Sequence, residues 1–188
     1  MGLAAVTHSA LTVEGIRPQD MRMILMVFEK LGVRAEINGS SLFVPEDQEM
    51  VIRNDLHNTI PKIDDAPWPA FPTDLMSIVI TVATQCRGTV LFFEKMFEGR
   101  LFFVDGLINM GAQLILCDPH RVVAAGPTPL IGTRLESPDV RAGMALLIAA
   151  LAARGQSTIY NVRHIDRGYE KVDHKLRALG AHLERMPA

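Results

Sequence analysis

The sequence is short of cysteine, of excess charge and of long apolar runs, and each shortage removes a class of protein. Cys86 and Cys117 are its only cysteines, with no CxxC pair and no Cys/His cluster. They speak against a disulfide frame or a zinc site and lead us to expect reduced thiols and a cytoplasmic location. Nineteen basic residues face twenty-one acidic ones, for a net charge of −2. Without a basic excess there is no case for general nucleic-acid binding, although local anion sites remain open. The most apolar run, Gly143 to Ala153, is 11 residues, against about 20 for a membrane-crossing helix. The amino terminus begins Met-Gly, yet Val6 stands where myristoylation needs Ser or Thr, and no basic segment of a secretory signal precedes an apolar stretch. A Gly-rich phosphate loop, a Ser/His/Asp order and metal-ligand spacing are all missing. No metal and no cofactor is expected.

The residues present are those of a folded domain. Apolar residues make up 48% and charged residues 21%, and a chain of this length buries a substantial core. A single domain over residues 1–188 is the natural expectation.

Aligned on their Gly-ended helices, three segments repeat. The first runs Leu3–Ala10, Leu11–Ile16, a helix from Pro18 to Leu31-Gly32, then Arg34–Ile37. The second runs Ile78–Gly88, Thr89–Phe93, a helix to Met110-Gly111, then Gln113–Leu116. The third runs Gly143–Gly155, Ser157–Tyr160, a helix to Leu179-Gly180, then a strand at His182–Arg185. The helix-ending glycines are 79 and 69 residues apart, which points to duplication of a helix-strand-helix-strand unit. Copies one and two continue into a further strand, Ser41–Val44 and Arg121–Ala124. The boundaries read as about 1–44, 73–125 and 137–186, with a Pro-rich connection over 45–72 whose Trp68 either packs on the core or lines a site.

The leading helices of copies two and three are apolar nearly all round and are therefore expected to be buried on every side. The second helices carry one apolar stripe, as in Met21, Ile24, Leu25, Phe28 and Leu31. A mixed α and β fold satisfies both: an inside-out prism with helices inside and sheets outside. The first copy has only about half of a leading helix. The chain is thus expected to start inside an element, as a fragment, through a misassigned start codon, or because the missing turns come from elsewhere.

Chemistry is expected where the repeated helices begin. Thr73-Asp74 opens the leading helix of copy two and Asp139-Val-Arg141 that of copy three. Arg100 and Arg167 precede the second helices of those copies. Arg167 is read in a strand–turn–helix segment, His164 to Glu170, with Tyr169, Val172, Leu176 and Leu179 on one helical face. Asp74 suits either of two roles, a helix N-cap or a carboxylate that takes a proton from a substrate hydroxyl. Arg100, Arg141 and Arg167 suit an anionic ligand bearing phosphate or carboxylate. Copy one places Arg17 at the comparable point, so a junction arginine is also consistent with inherited structure alone. His164 is read as a satisfied structural residue.

Four motifs, Phe71-Pro-Thr-Asp74, Phe97-Glu-Gly-Arg100, Asp139-Val-Arg141 and His164-Ile-Asp-Arg-Gly-Tyr-Glu170 running into Leu176–Ala181, closely resemble the UDP-N-acetylglucosamine enolpyruvyl transferase (1-carboxyvinyltransferase) family. The last motif favours it over the related 5-enolpyruvylshikimate-3-phosphate synthases, which stand as an alternative. The resemblance implies one of two similar domains, each of three repeats, facing the other across a cleft. It implies transfer of enolpyruvyl from phosphoenolpyruvate to the 3′-hydroxyl of UDP-N-acetylglucosamine, with release of phosphate, at the first committed step of peptidoglycan synthesis. By that resemblance Asp74 binds the sugar hydroxyl and acts as base, and Met96, where the family more usually has Val, contacts the nucleotide sugar through its backbone. Arg100, Arg141 and Arg167 line the cleft with Arg167 nearest phosphoenolpyruvate, and Asp139 orients them. The family's reactive cysteine belongs to the other half, and Cys86 and Cys117 are expected in buried elements. The chain is then the carboxy-terminal half, with the amino-terminal domain as its partner. A non-catalytic domain that self-associates through the exposed cleft face is the other alternative.

Overall fold

The computed structural model describes residues 1–186. The first segment comprises helix α1 (Gly2–Val6), strand β1 (Leu11–Glu14), helix α2 (Pro18–Lys30), and strands β2 (Glu36–Asn38) and β3 (Ser41–Val44). Strand β4 (Lys62–Asp64) follows in the Pro-rich connection, then helix α3 (Met76–Ala83), strand β5 (Gly88–Phe93), helix α4 (Val104–Asn109), and strands β6 (Gln113–Asp118) and β7 (Arg121–Gly126). The last segment holds β8 (Arg134–Glu136), α5 (Val140–Ala152), β9 (Thr158–Tyr160), α6 (Arg163–Asp166) and α7 (Val172–Ala178). The fold is mixed α and β.

The three leading helices α1, α3 and α5 pack against one another. Their composition requires it, because helices apolar on all faces are stable only when covered on all faces. Val79, Ile80, Val82 and Ala83 of α3 and Ala145 and Ala149 of α5 are fully buried. The strands form three sheets, of order β1-β3-β2, β4-β5-β7-β6 and β8-β9. The strands alternate as half-buried strands do: Val122 and Ala124 point inward from β7, while Ile115 of β6 faces solvent. In α2 the expected stripe is oriented as its spacing dictates, with Phe28 and the following Leu31 buried and Met26 exposed.

One pairing matters most for the site. β4 runs parallel to β5 with Asp64 opposite Phe93, so the next residues of the two strands, Asp65 and Glu94, leave the sheet side by side. The four-stranded sheet borrows β4 from a connection that had looked like linker.

Several expectations need correction. His182–Arg185 is not a strand. Arg185 instead turns back to form ion pairs with Asp166 and Asp173. The segment around Arg167 is not strand, turn and helix. It is the short helix α6, whose C-cap is Arg167, followed by a break at Lys171, which adopts a left-handed φ of 49° before α7. Leu179 is the C-cap of α7 and 65% exposed, so it leaves the apolar face that Val172 and Leu176 occupy. Trp68 does not pack on the core, being 58% exposed. Cys86 is buried but Cys117 is exposed, because it sits on the outer face of β6. Among the described residues no helix is long and apolar enough to cross a membrane.

The seating of α5 has a tight point. At Gly143 a Cβ would come within 2.7 Å of Ile165 Cγ1 and closer still to Ser137 Oγ. Gly143→Val is therefore expected to destabilise the chain by about 2 kcal/mol or more through overpacking, read as a lowered urea midpoint. Equal midpoints for the variant and the parent chain would show that α5 shifts freely.

Candidate active site

The ends of α3 and α5 meet. Pro72 fixes an extended entry, φ −67°, into a turn of 3-10 helix over Thr73–Leu75 that leads into α3. Asp74 sits on that turn, 60% exposed, and caps nothing. Its carboxylate is instead held by two guanidiniums. Arg141 Nε binds Asp74 Oδ1, and Arg100 Nη1 lies 3.5 Å from the same oxygen. The N-cap explanation for Asp74 fails, and a carboxylate held between two arginines replaces it.

The N-cap is Asp139. Its Oδ1 accepts from the backbone amides of Arg141 at 2.7 Å and Ala142 at 3.1 Å, closing the amino end of α5 as an aspartate in extended conformation does. Asp139 therefore positions Arg141 through the backbone. The guanidiniums of Arg141 and Arg100 pair with Asp74.

Arg100 arrives from the loop after β5. Its guanidinium lies 3.9 Å from the centroid of the Phe97 ring and donates to Thr73 Oγ1 at 3.2 Å. A planar cation on an aromatic face is both oriented and partly desolvated there. Met96 precedes it, partly exposed, with its amide turned inward toward Glu94.

Arg167 is not drawn into the Asp74 ion pairs and lines neither cavity beside them; only its neighbours touch this rim. Gly168 lies against Val140, where a Cβ would come within 2.5 Å of Val140 Cγ2, so the end of α6 rests on the start of α5. Tyr169 is next to the ion pair: burial first, then the charge of Asp74, push its phenol above the usual range, with Arg141 opposing. Arg167 itself is exposed. The residue before it is clamped, since Arg185 grips Asp166 with two bonds of 2.8 and 2.7 Å. That bond holds the Asp166 carboxyl below its usual range. His164 is a structural residue whose Nδ1 lies 2.7 Å from the Ser137 carbonyl. Arg17, the corresponding arginine of the first segment, is elsewhere on the surface and pairs within its own helix with Asp20.

Two cavities flank the arginines. One of about 10 Å³, room for about a single water, lies between Ser77, Glu94, Arg100 and Arg141. The other, an open groove of about 610 Å³, runs from Arg100 and Phe102 to Arg134, Glu136, Asn161 and His164. Among the described residues no group of three His, Cys, Asp or Glu side chains is placed to hold a metal ion. The arrangement offers an exposed carboxylate to receive a proton and fixed guanidiniums to hold an anion next to it.

Sequence reasoning missed Glu94, Asp65 and Arg185. The two carboxylates carry no motif, and the signal that would have exposed them is the strand Lys62–Asp64, hidden between prolines. Arg185 was absorbed into an expected strand.

Comparison with known proteins now bears on this site. A family model described as EPSP synthase (3-phosphoshikimate 1-carboxyvinyltransferase) matches residues 1–176. The chain belongs to that family. Its sequence is 53% identical over 187 residues to a UDP-N-acetylglucosamine 1-carboxyvinyltransferase of Bradyrhizobium diazoefficiens, covering 100% of this chain and 43% of the relative. It is 55% identical over 186 residues to the protein of that description from Borrelia garinii, covering 99% and 44%. The chain thus spans less than half the length of the curated relatives it matches. In fold it is similar to the enolpyruvyl transferase NikO from Streptomyces tendae, with a TM-score of 0.84 at 23% identity over 100% of this chain and 43% of the other. An EPSP synthase from Acinetobacter baumannii gives 0.67 at 16% identity, covering 98% and 41%.

The two aspartates divide structure from site, and unfolding separates them. Asp139→Ala is expected to cost about 1–2 kcal/mol as a lost N-cap. Asp74→Asn, at an exposed ion pair, is expected to cost less than about 1 kcal/mol. Urea midpoints in the reverse order would make Asp74 the structural residue.

Proposed function

We propose that this chain supplies one domain, the carboxy-terminal half, of a UDP-N-acetylglucosamine 1-carboxyvinyltransferase of peptidoglycan synthesis. In that role it takes part in moving enolpyruvyl from phosphoenolpyruvate to the 3′-hydroxyl of UDP-N-acetylglucosamine, with release of phosphate. The observation that carries the proposal is the exposed Asp74 carboxylate held by Arg141 and Arg100 at the meeting of α3 and α5. Relatives more than 50% identical over nearly the whole chain bear the name of that activity.

In this proposal Asp74 binds the acceptor hydroxyl and takes its proton. A hydrogen bond from Arg141 and the ion pair with Arg100 hold its carboxylate in place at the rim. Arg100 and Arg141 surround the reacting groups with positive charge, and Arg167, exposed on the clamped end of α6, reaches for phosphoenolpyruvate. Guanidiniums suit this because they bind phosphate and carboxylate through paired N–H donors and stabilise charge as it develops. Asp139 holds Arg141 by capping α5, and Met96 contacts the nucleotide sugar through its backbone. The groove beside Arg100 has a volume in the range of small-ligand sites. Residues 1–44, 73–125 and 137–186 are taken as three copies of one unit, joined by 45–72. The relatives extend well beyond this chain, so an amino-terminal domain is proposed as the partner that completes the cleft. A cytoplasmic location is supported by the unpaired state of Cys86 and Cys117.

The test is reconstitution. The chain alone, given both substrates, is expected to release no phosphate above background. Mixed with the remaining domain of a relative it is expected to do so, and Asp74→Asn is expected to lower kcat by about 10²–10⁴-fold while costing less than about 1 kcal/mol of stability. Full turnover by the asparagine variant would remove Asp74 from the base role.

A further inference from the structure

Behind the candidate site lies a pair of carboxyl groups that the proposed chemistry does not use. Glu94 and Asp65 are both fully buried. The parallel pairing of β4 and β5 brings them together, since Asp64 stands opposite Phe93 and each carboxyl belongs to the next residue.

The contacts of Glu94 reach two parts of the site. Its Oε1 accepts from the amides of Met96 and Phe97, each at 3.1 Å, which folds the loop that carries Arg100. Its Oε2 accepts from the Thr73 hydroxyl at 2.8 Å, which fixes the turn that carries Asp74. The same Thr73 oxygen accepts from Arg100 Nη1 at 3.2 Å. One buried carboxyl therefore ties the Asp74 turn to the Arg100 loop. Asp65 braces it: its Oδ1 accepts from the Lys95 amide at 2.6 Å, while its buried Oδ2 has no hydrogen-bond donor among the described residues. We infer that Glu94, braced by Asp65, is the positioning residue that holds Asp74 and Arg100 in register.

Charge is part of the device. Two adjacent buried carboxylates repel each other, and a buried oxygen without a donor is costly, so one proton shared between them answers both problems. Burial first, then the hydrogen bond to Asp65, push the Glu94 carboxyl up to about 7. The charged or titratable groups around the pair are Lys95, His120, Arg100, Asp74, Asp139 and Arg141. Of these, His120 Nδ1 lies 2.8 Å from the Glu94 carbonyl, and the aspartates and arginines line the far side of the small cavity or bind beyond it. Because the folded value lies above the ordinary one, the folded chain keeps a proton that the unfolded chain has lost. Stability from the pair is fully present below about pH 4.5 and is lost as the pH rises through about 7.

The inference takes from the proposed function only that Asp74 and Arg100 belong to the site, and its test uses no substrate. It therefore stands or falls apart from enolpyruvyl transfer. Isotope-labelled chain is followed by NMR from about pH 5 to about pH 8.5, reading the amides of Met96 and Phe97, the Arg100 Nε–H and the Asp74 carboxyl carbon. All four are expected to share an inflection near pH 7, and Glu94→Gln is expected to abolish it and hold them at their low-pH positions. In Asp65→Asn, whose amide donates to an ionised Glu94, the shared inflection is expected to move well below 7. That variant keeps the test decisive if the glutamine variant fails to fold. Two results would overturn the inference. An inflection that survives Glu94→Gln would belong to another group, and one confined to Met96 and Phe97 would show that the pair merely folds its loop.

Discussion

The constraint on which the rest depends is the burial of three helices that have no polar face. Helices α1, α3 and α5 are covered by one another, by the strands packed on α3, and by α4 and α6 on α5. With about 25 cal/mol gained per Å² of apolar surface removed from water, no arrangement that exposes α3 or α5 competes. Polar groups are thereby driven to the helix ends. The beginnings of α3 and α5 meet closely enough for Asp74 to bind Arg141, and a polar cluster forms there because the interior has no place for it.

The chemistry of that rim follows from its exposure. An ion pair that is partly solvated contributes little to folding, typically less than about 1 kcal/mol. The grip of Arg141 and Arg100 on Asp74 is therefore cheap to rearrange when an anion or a hydroxyl arrives. The parts beneath are held differently, by the Asp139 cap on backbone amides and by the Phe97 ring under Arg100. Soft contacts between the functional groups rest on hard contacts beneath them. A site that changes partners during its work needs that division.

Much of this was legible in the sequence wherever one physical signal dominated. Ser41–Val44 was read as the strand that continues the first segment, and the all-round apolarity of the leading helices read over Ile78–Gly88 and Gly143–Gly155 foretold burial. Asp74, Arg100 and Arg141 were found because they recur at helix starts. What failed were elements whose state is set by distant partners. The three residues of β4 have no strand signal of their own and are ordered by pairing with β5. Leu183 and its neighbours alternate like a strand, yet among the described residues their side-chain hydrogen bonds are those of Arg185 to Asp166 and Asp173. Arg167 was placed at a helix start because apolar spacing ran on smoothly, whereas the left-handed Lys171 splits that run into two helices.

The three junction arginines separate a surface charge from a positioned one. Read from the sequence, Arg17, Arg100 and Arg167 stand at comparable points, but in the fold Arg17 stands at the start of α2, Arg100 in the loop before α4 and Arg167 at the end of α6. Arg17 pairs with Asp20 one turn away, and among the described residues no aromatic ring lies under its guanidinium. Arg100 has a ring and a buried carboxyl behind it, because its strand ends beside β4 and the following loop is folded around Glu94. The first sheet, of order β1-β3-β2, has no counterpart of β4 beside β1, and so no second carboxyl enters there to brace the loop. The difference between a surface charge and a positioned one thus traces to a single additional strand of three residues.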